Sequence, residues 1–574
     1  MSSQAGAEAA LSRLLGLGIT HFVLCPGSRS APFAYALREL EMRGIITLHV
    51  ETDERVAGFV ALGLGKASGI PAPVITTSGS AVANLHPATV EAFHSGVPFI
   101  ALTADRPEWM RGSGANQTTN QVGMLGPNLV NQIDVSAEDV VEDPELIDRA
   151  LQDVWRGPVH LNASFENPLH PTEPSFPVTP EVGSFPAPTG PADDLVAGLI
   201  GFKDVSVPVP EGDSEPVLEA GSDLVSEVES GLTPSALDNA RTVIVAGPGT
   251  PYSEVLRRTG HGQVPVLAEP ASIERNYAEA IPAARIVADC VNDEIERVVI
   301  TGHPTLSRPI TSLVCRTDID IISVTTEPVP TDPGRIARTA PVMPDVPDQT
   351  AWLKRLSAAG QRAYEAGRSY LGDELDALQV AAQVADAEGN WFVGASNVIR
   401  DIDLLAGSPK ATFHANRGLA GIDGTMSTAR GMAHHLGPMK VVVGDLTFIH
   451  DLGGLILTRG QDEPALDIVI IDDSGGGIFA TLEHGDPRFS DTFDRVFRTA
   501  KNLDIPTLAR ACGWEPVVVT STGELREILA AKPAGRVIVV NCAQEIHHVR
   551  QRRRELTSIM IEAARQELAG HTPA

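Results

Sequence analysis

The sequence contains little cysteine and no long apolar run. Five cysteines are scattered over 574 residues without CxxC spacing, which excludes a disulfide framework or a cysteine zinc site and is typical of the cytosol. No uncharged apolar stretch reaches the roughly 18 residues that a membrane-spanning helix needs. The opening residues MSSQAGAEAA lack the basic and apolar regions of a signal peptide. These absences predict a cytoplasmic protein without membrane insertion.

Positive charge is also scarce. Asp and Glu number 73 against 44 Lys and Arg, which gives a formal net charge of −29. Nucleic acids and anionic membrane surfaces are bound through concentrated positive charge, so neither is expected as a partner. If the ligand is itself an anion, its site must be a local group of basic residues within an acidic protein.

Strand-like and helical segments alternate along most of the chain. Continuous apolar runs such as HFVLCP, APVITTS and PFIALTAD are separated by Ala- and Leu-rich helical stretches. This pattern is typical of parallel sheets that helices cover on both faces. The length exceeds what a single core supports. The predicted fold class is therefore α/β, with three consecutive open, doubly wound parallel sheets.

Changes in composition predict four segments. Residues 203–233 hold eight acids against one base, with prolines and serines, a composition typical of a linker or insertion. Strand-like runs resume at RTVIVAGP and, after a helical stretch, again at NWFVGAS. The predicted segments are an α/β domain (1–185), an acidic linker or insertion (186–235), a central α/β domain (236–345) and a third α/β domain with a preceding helical linker (346–574).

Two strand ends in the third domain carry candidate metal ligands. The strand KVVV runs into Gly444 and Asp445, and the later strand DIVII runs into Asp473. Magnesium prefers an octahedral set of oxygen ligands, and Asp445, Asp473 and the carbonyl of Gly475 could supply part of it. Glycines 475–477 let the backbone approach a bulky anion, and a helix that begins there offers amide donors. The pattern predicts a joint metal and phosphate site.

This arrangement resembles the diphosphate and Mg²⁺ motif of thiamine-diphosphate enzymes. In that motif the second side-chain ligand is usually Asn, whereas this chain has Asp473. Such enzymes also require an acid from another domain that contacts the aminopyrimidine ring of the cofactor. The segment IITLHVETDER offers Glu51, Asp53 and Glu54 for this role.

Further motifs narrow the resemblance within this superfamily. They closely resemble the menaquinone-biosynthesis synthases that make 2-succinyl-5-enolpyruvyl-6-hydroxy-3-cyclohexene-1-carboxylate, and they are PGSRSAP, TSGSAVANL, LTADRPE, GANQTTNQ, GASNVIRDID, NRGLAGIDGTMSTA and GDLTFIHDL. The matches span both outer domains in consistent order. The resemblance implies pyrimidine-binding, central and diphosphate-binding domains. It also implies a homodimer or homotetramer with the cofactor at the subunit interface.

Residues that match the family's motifs take implied roles in holding the cofactor. Glu54 would bond the pyrimidine nitrogen, and Ile422 would be the apolar wedge that folds the cofactor. Asp445, Asp473 and the carbonyl of Gly475 would hold Mg²⁺ or Mn²⁺. The remaining implied contacts with thiamine diphosphate are Ser28, Gly444, Leu446, Gly476, Ile478 and Phe479.

The family's substrates, 2-oxoglutarate and isochorismate, are both dicarboxylates. Guanidinium groups match planar carboxylates through paired hydrogen bonds. The implied substrate-binding residues are Arg29, Arg106, Arg308, Arg400 and Arg417, with Ser28, Asn116, Gln117, Ser396, Ile478 and Phe479. Beside Glu54, the implied catalytic residues are Arg29, Gln117 and Ser396. These arginines would form the local basic group that an anionic ligand requires.

The resemblance implies a transferase that decarboxylates 2-oxoglutarate and adds the product to isochorismate in a 1,4 sense. One alternative is another thiamine-diphosphate-dependent decarboxylase or carboligase, similar to acetohydroxyacid synthase, which would have little use for so many arginines. A second alternative is a non-catalytic metabolite-binding homologue that retains the fold. The complete set of motifs favours the synthase.

Two other patterns have structural interpretations. GLGKASG (63–69) is rich in glycine but lacks GxGxxG spacing, so it predicts close helix packing rather than a nucleotide site. VRQRRREL (549–556) is a basic cluster on a predicted terminal helix. It indicates a solvated face or a subunit contact rather than a nucleic-acid site.

Overall fold

The computed structural model describes residues 2–171, 239–249, 263–325, 330–407, 410–542 and 546–570. The predicted domain boundaries near 185 and 235 and the acidic stretch 203–233 lie outside these ranges. The described strands form three sheets in which all neighbouring strands pair in parallel. The predicted α/β class with three parallel sheets is confirmed. Each described helix is too short or too polar to cross a membrane.

The first sheet has the strand order β2-β1-β3-β4-β6-β5. Its strands are β1 His21–Leu24, β2 Thr47–Val50, β3 Pro73–Thr76, β4 Phe99–Asp105, β5 Asn131–Ser136 and β6 Pro158–Ser164. Its helices are α1 Ser3–Gly16, α2 Ala31–Met42, α3 Glu54–Ser68, α4 Ser80–Ala83, α5 His86–Ser95, α6 Ala137–Glu142 and α7 Glu145–Leu151, with 3₁₀ turns at Glu108–Met110 and Val154–Arg156.

The central sheet has the order β11-β10-β9-β7-β8. Its strands are β7 Thr242–Ala246, β8 Val266–Ala268, β9 Arg297–Thr301, β10 Asp320–Val324 and β11 Arg338–Ala340. The described helices here are α8 Ala284–Cys290 and α9 Arg308–Val314, with 3₁₀ turns at Ile273–Asn276 and Asn292–Glu294. The predicted helical linker contains α10 Thr350–Tyr370, which packs against the C-terminal helix.

The third sheet has the order β13-β12-β14-β15-β17-β16. Its strands are β12 Gly389–Val393, β13 Ala411–His414, β14 Met439–Gly444, β15 Leu466–Asp472, β16 Glu515–Val519 and β17 Arg536–Asn541. Its α-helices are α11 Ala377–Asp386, α12 Asn397–Leu405, α13 Thr425–Leu436, α14 Asp445–His450, α15 Gly477–Ala480, α16 Ser490–Thr492, α17 Ile505–Ala511, α18 Thr522–Ala530 and α19 Ile546–Gly570. Residues Phe493–Arg498 form a π-helix, and 3₁₀ turns lie at Leu452–Leu455, Glu483–Gly485 and Pro487–Phe489.

Each outer sheet has hydrophobic cores on both faces because successive strand side chains point in opposite directions. In the first sheet, Ile100 and Leu102 join one buried cluster, whereas Phe99 and Ala101 join another. In the third sheet, the same division separates Val469 and Ile471 from Ile468 and Ile470. The continuous apolar strands of the sequence are therefore explained by helices on both faces.

Helices α3 and α13 cross at reciprocal glycines. A Cβ atom on Gly63 would lie 2.1 Å from the carbonyl oxygen of Thr428, and one on Gly431 would lie 2.1 Å from the carbonyl oxygen of Val60. Because only glycine allows such an approach, the two helices pack backbone against backbone and join the first domain to the third. The close helix packing predicted for GLGKASG is confirmed.

The basic cluster VRQRRREL lies on α19. Arg552 forms an ion pair with Asp376 at 2.8 Å, and Arg553 forms one with Asp401 at 2.5 Å, with each arginine side chain 14% exposed. The prediction of a solvated face is wrong for these two residues. Their charges are used inside the chain because the C-terminal helix folds back onto acidic side chains of the third domain.

Candidate active site

The two predicted metal ligands lie beyond the carboxyl ends of neighbouring strands. Strands β14 and β15 pair in parallel, so Asp445 and Asp473 leave the same edge of the third sheet. Asp445 is 5% exposed, and its carboxylate accepts a hydrogen bond of 2.8 Å from the amide of Gly475. The loop that contains Asp473 is thereby bonded directly to Asp445.

Both carboxylates lie in an environment that disfavours two negative charges. Burial raises the pKa of Asp445. Burial, followed by the charge of Asp445, raises the pKa of Asp473 to about 7, while Arg553 and Arg498 oppose that rise. A divalent cation would offset this repulsion, so the donor set fits a metal ion. In the described ranges, no group of three or more His, Cys, Asp or Glu side chains could hold a metal ion. The predicted ligands are two carboxylates and one backbone carbonyl, so they do not form such a group.

The loop after β15 has a backbone that glycine makes possible. Ser474 and Gly475 have positive φ values of 60° and 99°. A Cβ atom on Gly475 would lie 2.2 Å from the carbonyl oxygen of Arg498, and one on Gly476 would lie 2.3 Å from that of Phe497. Residues 493–500 therefore pack directly on the glycine loop. This close packing and the left-handed turn account for the run of glycines.

The apolar residues implied in cofactor contact all have half-buried side chains. Ile422 precedes α13, Leu446 lies in α14, and Ile478 and Phe479 lie in α15. The ring of Phe479 is 5.6 Å from that of Phe497. Partial burial leaves each of these side chains with a surface that a ligand can cover.

The three candidate acids after β2 have different partners. Glu51 is 3% exposed and forms an ion pair of 2.9 Å with the buried Arg430 of α13. Asp53 caps α3 by accepting hydrogen bonds from the first-turn amides, including Arg55 at 2.9 Å. Glu54 is half-buried and accepts a bond of 3.3 Å from Asn84. Of the three carboxylates, that of Glu54 is the least committed to holding the fold.

Arg29 and Arg106 form one basic group at the carboxyl edge of the first sheet. Arg29 donates to the carbonyl of Phe165 at 2.6 Å, and burial, followed by the charge of Arg106, lowers its pKa. Arg106 is 9% exposed and donates to the hydroxyl of Ser78. Gln117 donates to the carbonyl of Ser78 at 2.9 Å. The structure brings these predicted residues together.

Arg400 and Arg417 form a second basic group between the third and central domains. Arg417 is 3% exposed and donates to Thr305 at 2.8 Å, but its Nε and one terminal nitrogen are buried without a partner. Arg400 donates to the carbonyl of Ser396 at 2.8 Å, and burial, followed by the charge of Arg417, lowers its pKa. Burial raises the pKa of Glu269 to about 7, against the opposing charge of Arg417.

Of the remaining predicted substrate residues, Arg308 is bonded elsewhere, whereas Ser28 and Asn116 adjoin Arg29 and Gln117 in the chain. Arg308 begins α9 and pairs with Glu483 at 3.0 Å on the surface, where its side chain is 73% exposed. Ser28 and Asn116 are exposed on loops of the first domain. Among the described residues, no hydrogen bond or ion pair joins the Arg29 group to the Arg417 group.

Several residues of these groups were missed by sequence reasoning. Ser78 and Asn84 lie within the motif TSGSAVANL, which indicated the region but not the residues, and Thr305 lies three residues before the predicted Arg308. Glu269 follows β8 in a segment without a distinctive motif. The basic cluster predicts a solvated face or a subunit contact for Arg553, because the neighbouring sequence does not show that its acidic partner, Asp401, lies far away in the chain.

Comparison with known proteins assigns the family. Residues 4–124 match the family model described as "Thiamine pyrophosphate enzyme, N-terminal TPP binding domain". The chain is 39% identical to the 2-succinyl-5-enolpyruvyl-6-hydroxy-3-cyclohexene-1-carboxylate synthase of Renibacterium salmoninarum, with 94% of each chain covered. It is 38% identical to the synthase of the same name from Arthrobacter sp. (strain FB24), with 98% of this chain and 93% of the relative covered. The corresponding protein of Mycobacterium avium is 36% identical, with 93% and 95% covered. The chain belongs to the 2-succinyl-5-enolpyruvyl-6-hydroxy-3-cyclohexene-1-carboxylate synthase family of thiamine-diphosphate-dependent enzymes.

Proposed function

We propose that this protein decarboxylates 2-oxoglutarate and joins the remaining four-carbon unit to isochorismate. The products are CO₂ and 2-succinyl-5-enolpyruvyl-6-hydroxy-3-cyclohexene-1-carboxylate, the compound for which its relatives are named. One carbon–carbon bond breaks at the carboxyl group of 2-oxoglutarate, and one forms with the unsaturated ring in a 1,4 sense. The reaction belongs to menaquinone biosynthesis and takes place in the cytoplasm.

Mg²⁺ or Mn²⁺ would be held by Asp445, Asp473 and the carbonyl of Gly475 in the diphosphate-binding third domain. When bound, thiamine diphosphate supplies the electron sink that decarboxylation needs. The backbone of Gly475 and Gly476 would admit the diphosphate closely. Ile422 would support the folded cofactor as an apolar wedge, and the pyrimidine ring would lie against the first domain.

Glu54 would hold a proton at the pyrimidine nitrogen. Its bond from Asn84 orients the carboxylate, and its position at the start of α3 is fixed by the Asp53 cap. Glu51 is less suited to this role because its charge is paired with Arg430. A positioned acid or base of this kind contributes about 100- to 10,000-fold to a reaction rate.

Arginines would bind the substrate carboxylates and exclude other keto acids. The observation that carries this assignment is Arg417, whose Nε and one terminal nitrogen are buried without a partner within the described structure. A buried unpaired donor is costly unless a ligand completes it. Arg29, Arg106 and Arg400 would bind further carboxylates, with Gln117 and Ser396 as neutral hydrogen-bonding groups, whereas Arg308 would first have to leave Glu483.

The experiment combines purified protein with thiamine diphosphate, Mg²⁺ and 2-oxoglutarate, with and without isochorismate, and identifies the products by mass. We expect the adduct and CO₂ to form at an appreciable rate only when both substrates are present. Pyruvate in place of 2-oxoglutarate should give little turnover. Preferred use of pyruvate would instead support a different carboligase, and cofactor binding without CO₂ release would support a binding protein.

We further propose that the catalytic unit is a homodimer with the cofactor between subunits. The separate Arg29 and Arg417 groups support this, because each would supply half of a site that a partner subunit completes. Two chains in a symmetric pair would form two such sites. Pairs of dimers could build a homotetramer from the same unit.

Mixing two inactive variants tests the shared site. If Glu54→Gln and Asp445→Ala chains are unfolded, mixed and refolded, each mixed dimer should contain one site with both native residues. Random pairing should then restore about a quarter of wild-type activity. Sites formed within a single chain would give no recovery, because every site would carry one substitution.

A further inference from the structure

The chain between β13 and α13 carries Arg417 and lies against helix α5 of the first domain. Glu91 of α5 is 5% exposed, and its two carboxylate oxygens accept separate hydrogen bonds of 2.8 Å, one from the amide of Gly418 and one from the amide of Leu419. A Cβ atom on Gly418 would lie 2.8 Å from the carbonyl oxygen of Glu91, so the loop also contacts the helix backbone. Two bonds from one carboxylate to successive amides fix both the position and the orientation of this segment.

The same loop is fixed on the other side of Arg417. Lys66 of α3 donates to the carbonyl of Ala415 at 2.5 Å, and the side chain of Asn416 donates to the hydroxyl of Thr428 in α13 at 2.9 Å. The first domain therefore holds the loop backbone both before and after the arginine, through one buried anion and one lysine.

The guanidinium of Arg417 is poorly fixed by its own contacts. In the described structure it makes one hydrogen bond, of 2.8 Å to Thr305, whereas Nε and the other terminal nitrogen are buried without a partner. An arginine side chain has considerable rotamer freedom. The location of its two free donors therefore depends on where the loop backbone is held.

We propose that Glu91 is a positioning residue for Arg417: it holds the loop backbone at the place from which the guanidinium can meet a substrate carboxylate. This inference rests on the proposed function, in which Arg417 binds a substrate. Among the described residues, Glu91 has no hydrogen bond or ion pair with the guanidinium itself, so it acts through the amides of Gly418 and Leu419. A displacement of about 1 Å at such a contact can cost up to about a hundredfold.

The experiment measures kcat and the KM of each substrate at saturating thiamine diphosphate and Mg²⁺. Arg417→Gln identifies the substrate that this arginine binds, because it should raise the KM of that substrate by about ten- to hundredfold. Glu91→Gln keeps the size of the side chain and one accepting oxygen, so one of the two amides loses its bond. It should raise the same KM by about tenfold and leave kcat within about threefold of wild type, as expected for a contact made equally in the ground and transition states.

A double-mutant cycle distinguishes positioning from a general loss of structure. When Arg417 is already Gln, there is no guanidinium left to place, and adding Glu91→Gln should raise the KM by less than about twofold. If Glu91 only stabilises the packing of the domains, the substitution should change the KM by the same factor whether residue 417 is Arg or Gln.

Two further variants support the measurement. Gly418→Ala alters no charge, but its methyl group would press on the carbonyl oxygen of Glu91 and displace the loop, so it should raise the same KM. Asp467→Asn is the matched control, since Asp467 is a buried carboxylate that accepts bonds from the amides of Ala534 and Arg536 at the amino end of β15. It should lower the melting temperature and leave both KM values within about twofold of wild type.

The outcomes separate the inference from the proposed function. Wild-type protein that forms no adduct would overturn both. Adduct formation with KM values that Arg417→Gln does not change would remove Arg417 from substrate binding, and the inference with it, but would leave the reaction assigned. A raised KM in Arg417→Gln with unchanged KM in Glu91→Gln and Gly418→Ala would overturn the role of Glu91 alone. So would a fall in kcat without a rise in KM, or an equal effect of Glu91→Gln with and without Arg417.

Discussion

The first and third domains place residues of opposite charge on the same scaffold. Both sheets have the spatial order second, first, third, fourth, sixth, fifth strand. The correspondence extends beyond the strands, because the amide of Phe165 bonds to the carbonyl of Asp105 at 3.1 Å and that of Cys542 bonds to Asp472 at 2.8 Å. Equivalent strand ends therefore occupy equivalent places in the two domains.

The residues at these strand ends differ in charge. The fourth strand of the first sheet ends at Asp105 and runs into Arg106, whereas that of the third sheet ends at Asp472 and runs into Asp473. A cation at this position suits a carboxylate ligand, and an anion suits a metal. The shared fold supplies a crevice at the strand ends, and the loop residues decide which ligand enters it.

The largest expected effect is on the rate of decarboxylation, and it distinguishes Glu54 from the other acids of the first domain. Glu54→Gln should lower decarboxylation of 2-oxoglutarate by about 100- to 10,000-fold, because the amide cannot exchange a proton at the pyrimidine nitrogen. CO₂ release at saturating cofactor measures the loss. Melting temperature should stay close to that of wild type, since the side chain accepts one bond of 3.3 Å.

Glu51→Gln provides the matched comparison for this prediction. Arg430 would lose one of its two buried carboxylate partners and retain Glu463 at 2.8 Å. We therefore expect lower stability with a smaller loss of activity than in Glu54→Gln. Normal turnover in Glu54→Gln would remove that residue from the catalytic role, and inactive but stable Glu51→Gln would transfer the role to Glu51.

The next effect concerns the metal end in the third domain. Asp445→Ala should weaken metal-dependent thiamine diphosphate binding by more than about a hundredfold, because even outer-shell groups of metal sites are worth up to that amount. Calorimetry with and without Mg²⁺ provides the measurement. Asp451→Asn is a control at the far end of α14, where a buried carboxylate accepts bonds from Ser427. It should alter stability and leave the metal dependence intact.

The sequence predicted the three sheets because apolar runs and motif order depend on local pattern. Asp445, Asp473 and Gly475 were found together because a parallel sheet places successive strand ends at one edge. The grouping of Arg29 with Arg106 follows from the same rule. In these cases, local periodicity and a simple topological rule contain enough information to locate the residues.

Residues whose role depends on distant partners could not be predicted in this way. Arg553 pairs with Asp401, which is far away in the chain, and Arg308 pairs with Glu483 across domains. Glu51 and Glu54 are close in sequence, and only their three-dimensional partners distinguish them. Which charge is paired and which is free is a property of tertiary packing, and a motif does not record it.

An effect of intermediate size tests whether the crossing of α3 and α13 stabilises the contact between the first and third domains. Gly63→Ala and Gly431→Ala should each destabilise the protein by about 1 to 3 kcal/mol, because a methyl group would press on a carbonyl oxygen of the facing helix. Chemical denaturation measures the change. Gly523→Ala in α18 is the control, since its Cβ would meet no atom within 4 Å, and it should be neutral or stabilising by less than about 1 kcal/mol. Equal effects at all three sites would show that the crossing is not tightly packed.

The smallest expected effect distinguishes the two arginine groups by pH. Burial raises the pKa of Glu269 to about 7, so this carboxyl is mostly neutral below pH 7 and ionised above it. Once ionised, the carboxylate of Glu269 competes with a substrate carboxylate for the guanidinium of Arg417. The affinity for 2-oxoglutarate should therefore fall by about three- to tenfold between pH 6 and pH 8. Glu269→Gln keeps an acceptor for the amide of Leu306 but cannot ionise, so its affinity should stay at the low-pH value. Because the pKa of Glu269 is raised from 4.5 in the unfolded chain to about 7 in the folded protein, its ionisation lowers the free energy of unfolding as pH rises through that range. The variant should therefore also be more stable than wild type at pH 8. The same pH dependence in wild type and variant would assign the titration to a group other than Glu269.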